Sequence, residues 1–125
     1  MNCSLPPHPA LIKAVDEFNA GAYFECHDTL EAYWLADRSA LRDFYKGIIQ
    51  IAAGLYHFGN GNARGCTKLL FKGANYIEPF EPTCRGVDVA GLVAMARAAH
   101  AWCAAAAPGE SLPDHLVPRI AWAAD

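Results

Sequence analysis

The chain has 125 residues, a formal net charge of −3 and 54% hydrophobic content. That length supports one hydrophobic core and predicts a single domain over residues 1–125. The acidic balance argues against a nucleic-acid partner, which needs a basic face, and no apolar run of about 18 residues is present to cross a membrane.

The opening MNCSLPPHPALIK has neither a basic n-region nor an apolar h-region, so no secretory signal is read there. Its continuation, HPALIKAVDEFNAG, predicts a first helix, with Pro9 in the first turn, Leu11, Ile12, Val15 and Phe18 at helical spacing, and Gly21 as the stop. A second helix is expected from Tyr23 to about Asp37. Ser39 is expected to cap a long third helix, ALRDFYKGIIQIAAGLYHF, which the GNGN turn ends. That helix is apolar nearly all round, which marks a helix surrounded by others. Its Gly47 and Gly54 share a face, and helix two is the neighbour expected to approach there.

Asn62 is expected to cap a fourth helix, ARGCTKLLFKGANYIEPF, closed by Pro79 and Pro82, and Asp88 a fifth, VAGLVAMARAAHAWCAAAA, terminated by Pro108-Gly109. The tail SLPDHLVPRIAWAAD carries too many prolines for a long helix and is expected to cross the bundle as an extended segment with a short turn. No segment alternates as a strand bounded by hairpin turns. The predicted fold is all-α: a single-domain bundle of five antiparallel helices with an irregular Pro-rich C-terminal tail. Cys3, Cys26, Cys66, Cys84 and Cys103 are odd in number and scattered, with no C-x-x-C pair, so reduced and mostly buried thiols in a cytoplasmic protein are expected.

The chemistry-bearing stretch is YFECHDTLEAYW, Tyr23–Trp34. With Phe24 set at zero, helix geometry puts Leu30, Trp34 and Leu35 at about 240°, 280° and 20°, and His27 and Glu31 at about 300° and 340°. His27 and Glu31 are therefore expected inside the buried arc, while Glu25 and Asp28 fall outside it or on its rim. An acid in an apolar interior is costly unless paired or coordinated. Three outcomes are open: a structural hydrogen-bond network, two ligands of a metal, or an acid–base pair. On helix three, Gln50 and His57 share a face near Lys46. His57 is a candidate third metal ligand, and Gln50 a partner that fixes a ring tautomer. Imidazole with carboxylate suits a divalent Zn, Fe, Mn or Ni ion. Arg64, Lys68 and Lys72 form an i, i+4, i+8 row on helix four, which could receive an anion but is expected by default as a solvated outer face.

The segment from about Phe18 to Ile77 resembles the bacterial and archaeal family catalogued as domain of unknown function 309. The resemblance rests on FNAGAYFECHDTLEAYW, with His27, Glu31 and Trp34 at an H-x-x-x-E-x-x-W spacing, on YKGIIQIAAGLYH and on GNARGCTKLLFKG. Lys46 departs from the usual glutamine, and Asp28 from the commoner glutamate. The resemblance implies an all-helical fold and suggests metal binding through the His and Glu, with no reaction attached.

Together these features point to a cleft between helices two and three, lined by His27, Glu31, Trp34, Gln50 and His57, holding a divalent metal. If the protein is an enzyme, metal-assisted hydrolysis is the chemistry compatible with such an open site. The rival is a non-catalytic interaction module in which His27 and Glu31 form a buried network. Abundant alanine and Trp122 suit self-association into a homo-oligomer.

Overall fold

A computed structural model describes residues 3–124. It contains α1 (Pro9–Asn19), α2 (Tyr23–Ala36), α3 (Arg42–Gly59), α4 (Ala63–Ile77) and α5 (Val89–Ala105). Successive helices pack against one another, α1 on α2, α2 on α3, α3 on α4 and α4 on α5. The all-α bundle expected from the periodicity is present. Pro9 occupies the first turn of α1, where its missing N–H has no cost. His8 caps that helix, its Nδ1 accepting from Ala10 N at 3.0 Å. Asn62 and Asp88 cap α4 and α5 by accepting from Gly65 N and Gly91 N, each at 2.9 Å.

Ser39 is a correction. It lies three residues before α3 and belongs to a turn, its N–H donating to Asp37 Oδ1 at 2.7 Å and its Oγ accepting from Leu41 N at 3.1 Å. Asp, Ser and Asn side chains serve such local turns as readily as they cap helices. A 3₁₀ turn, Glu78–Phe80, finishes what looked like continuous helix at the end of α4.

The core lies around α3, which buries Phe44, Tyr45, Ile48, Ile51 and Ala52 among α2, α4 and α5 residues such as Leu30, Leu70 and Val93. Gly47 and Gly54 do mark a close approach, but the partner is α4 rather than α2. A Cβ on Gly47 would stand 2.9 Å from Gly73 O and against Ile77 Cγ2, and one on Gly54 3.2 Å from Leu69 Cβ.

Two further expectations are corrected. A short antiparallel hairpin, β1 (Thr83–Cys84) with β2 (Val87–Asp88), precedes α5. Arg85 and Gly86 turn it with φ of 51° and 83°, the left-handed geometry that two-residue hairpin loops need. Strands of two residues are too short to show an alternating pattern. Cys3 and Cys84 form a disulfide across a sequence separation of 81, while Cys26, Cys66 and Cys103 are free and buried. Pairing over that distance leaves no spacing signature, because it is made by tertiary folding.

The tail is extended after a 3₁₀ turn at Asp114–Leu116. It docks on the hairpin and on α1: Ala123 N donates to Gly86 O at 2.7 Å, and the Asn19 amide exchanges two 2.8 Å hydrogen bonds with the Ile120 backbone. Among the described residues, no helix is long and apolar enough to cross a membrane.

Candidate functional site

The buried line of α2 is Cys26 and Leu30, with Tyr23, Tyr33 and Trp34 packed partly against the core. Phe24 and Leu35, expected in the buried arc, are 52% and 55% exposed. The true arc is therefore rotated away from Phe24, toward α1 and the inner side of α3. His27 and Glu31 consequently sit on its flank, their side chains 33% and 46% exposed. They do face a recess, as expected, but from its rim rather than from within the core. This removes the buried form of the structural network.

His27 Nε2 stands 3.3 Å from Glu31 Oε2, and its other ring nitrogen, Nδ1, lies 3.5 Å from Asp28 Oδ1. Asp28 is exposed and reaches in only as that outer partner, and Glu25 is exposed on α2 away from the recess. A carboxylate near each ring nitrogen gives the imidazole an acceptor on either side, which orients the ring.

The recess, of about 220 Å³, is lined by Glu31 and Trp34 of α2, Lys46 and Gln50 of α3, and Leu69 of α4 among others. On α3 its wall is a helical stripe: Lys46, Gln50 and Ala53 follow at four- and three-residue steps, so their side chains stack along one face. His57 continues that stripe. It lines an adjoining recess of about 190 Å³ with Tyr23, Phe24, His27 and Tyr56. His27 thus separates two small hollows, and His57 lies near the start of α2 as antiparallel packing requires.

Lys46 and Gln50 in turn border a third hollow, of about 450 Å³, with Lys72, Asn75 and Tyr76. The three hollows share lining residues and form one groove along the α2–α3–α4 surface. Trp34 is its most heavily decorated member. Arg42 Cζ stands 4.5 Å from the indole ring centroid and Lys46 Nζ 5.8 Å from it. Two polar atoms of the wall, Trp34 Nε1 and Gln50 Oε1, are sealed from solvent without a hydrogen-bond partner.

Among the described residues, no three His, Cys, Asp or Glu side chains come together as a metal-holding group. His27, Glu31 and His57 are neighbours along the groove without converging as three donors. Cys26, one residue before His27, points the other way into the core. Burial, then the nearby Glu17, pushes its thiol up to about 12, so it takes no part in groove chemistry.

Lys46 and Tyr76 were not foreseen as site residues, and Lys72 only as one of the helix-four row whose default was a solvated face. The available signal was the four-residue step from Lys46 to Gln50, which places both on one face of α3. Tyr76 and Lys72 come from α4, whose packing against α3 the periodicity left open.

Residues 11–69, which hold most of this groove, match the family described as Domain of unknown function (DUF309). Residues 11–69 belong to that family. A similar protein is the uncharacterized protein YpuF of Bacillus subtilis (strain 168), 39% identical over 85 residues, which are 66% of this chain and 47% of YpuF. The chain therefore spans about half the length of the curated relative it matches. No solved structure matches it.

Proposed function

We propose that this chain is a ligand-binding helical module whose small-molecule site is the recess bounded by His27, Glu31, Trp34 and Gln50. One observation carries the reading: Trp34 and Gln50 both line the recess, and each holds a buried polar atom without a partner, the donor Nε1 and the acceptor Oε1. A buried polar atom left without a partner costs about 1–3 kcal/mol. Once the two side chains turn toward the recess, a ligand's acceptor for the indole N–H and its donor for the amide oxygen relieve both costs. Ile49, Ala53 and Leu69 offer its body an apolar seat, and the half-exposed His27–Glu31 pair offers a proton donor or acceptor at the mouth.

A resident divalent metal fits this site poorly. His27 and Glu31 supply two donors, whereas catalytic zinc sites take three protein ligands. No step of the proposed function passes through a metal.

The test uses phenol, a neutral aromatic with one hydroxyl, titrated into isotope-labelled protein. The Trp34 indole N–H and the His27 ring resonances are expected to move together and saturably, and to do so equally with added Zn²⁺ or with EDTA. Movement confined to Trp102 and Trp122 would overturn the site. Binding that requires Zn²⁺ and vanishes in His27→Ala would replace it with the metal-dependent reading.

A further inference from the structure

The hollow beside this recess has a different electrostatic character. Lys46 is half-buried where the two hollows meet, its Nζ 4.9 Å from the Tyr76 ring centroid and 5.8 Å from that of Trp34. Aromatic faces hold a cation there. Among the described residues, however, neither Lys46 nor Lys72 has a carboxylate within 4.0 Å; the ion pairs present join His27 to Asp28 and Glu31, and Arg97 to Glu78. Glu31 lines the adjoining recess without pairing with Lys46. What sets these two apart is position: two ammonium groups without a carboxylate partner border one hollow of about 450 Å³.

The neutral lining suits the same purpose. Asn75 accepts from Arg97 Nη2 through Oδ1 at 3.3 Å, which leaves its amide N–H₂ as the donor end. Tyr76 lines the hollow and presents its ring to Lys46. Gln50 is common to both hollows and brings a side-chain amide to the boundary between them.

We infer that this hollow is an oxyanion subsite, in which Lys46 and Lys72 receive the phosphate or carboxylate of a ligand whose apolar body lies in the Trp34 recess. This rests on the ligand-binding reading of that recess and names the ligand's class: a small apolar or aromatic body carrying an oxyanion. Charge and shape divide between the hollows, cations on the α3–α4 side and the apolar seat with His27–Glu31 on the α2 side. A half-desolvated lysine gains more from an anion than a fully solvated one, because water screens the attraction less.

The experiment compares phenyl phosphate, benzoate and phenol by calorimetry on the full chain. At least one charged probe is expected to bind about tenfold tighter than phenol or better, and to lose that advantage in Lys46→Met/Lys72→Met. Lys46→Arg is expected to retain the advantage, which separates lost charge from lost fold. Whichever charged probe gains identifies phosphate or carboxylate as the preferred source. Equal affinity of all three probes, no detectable binding of either anion, or undiminished anion binding in the double variant overturns the subsite. Failure of the recess reading is distinct: anions would bind with lysine dependence while the Trp34 indole and His27 resonances stay unmoved.

Discussion

His27 and Glu31 approach to 3.3 Å across one turn of α2 while both remain partly in solvent. Pairs in that setting contribute little, about 1 kcal/mol at most, because water screens them and two side chains must be held still. His27→Ala and Glu31→Gln are therefore each expected to lower unfolding stability by less than about 1 kcal/mol in urea titrations. A loss of about 3 kcal/mol or more, the range for breaking a buried pair, would show that the pair is a structural element instead.

The α3–α4 contact predicts a larger effect from a smaller change. Gly47→Ala would press a methyl against Ile77 and the Gly73 carbonyl, and Gly73→Ala would place one 2.8 Å from Gly47 O. Backbone cannot yield as a side-chain tip can, so each substitution is expected to cost about 1–3 kcal/mol or more. Gly59→Ala meets nothing within 4 Å and serves as the control, expected to be neutral or mildly stabilising. Thermal melts of the three variants give the comparison.

Cys3 and Cys84 tie the segment before α1 to the hairpin before α5. Closing so long a loop restricts the unfolded chain strongly, and removing such a bond costs about 2–5 kcal/mol. Dithiothreitol, or Cys3→Ala, is expected to lower the melting temperature, with dithiothreitol producing no further fall in the variant. Equal melting with and without reductant would remove the disulfide's stabilising role.

Alkaline stability has a defined sign. Burial pushes the Cys26 thiol up from its ordinary 9.0 to about 12, and Tyr23, Tyr45, Cys66 and Cys103 are also raised, with burial the largest cause for each. Unfolding lets these groups ionise at their ordinary values, so their stabilising contribution is complete below about pH 9 and is lost as pH rises toward about 12. Each group steepens the fall by up to about 1.4 kcal/mol per pH unit. Urea titrations at rising pH are expected to show it, with a shallower fall in Cys26→Ala.

The groove itself was partly legible. His27, Glu31, Trp34, Gln50 and His57 do line connected hollows, because i, i+4 and i+7 spacing follows from helix geometry whatever the neighbours do. Their depth was not legible. Counting Phe24 and Leu35 in the buried arc treated two exposed residues as core, and hydrophobic residues do occur singly on surfaces. Without those two the arc stops short of His27 and Glu31, which become a rim pair.

Sequence alone determined the helices, the caps at Asn62 and Asp88 and the glycine contact on α3, since these depend on dihedral preference, short hydrogen bonds and periodic apolarity. Tertiary structure alone decided that α4 faces those glycines, that Cys3 meets Cys84, and that Lys46 comes beside Tyr76 and Lys72. Each of those is a meeting of residues far apart in the chain, set by which helix faces bury the most surface together. No local pattern carries that information.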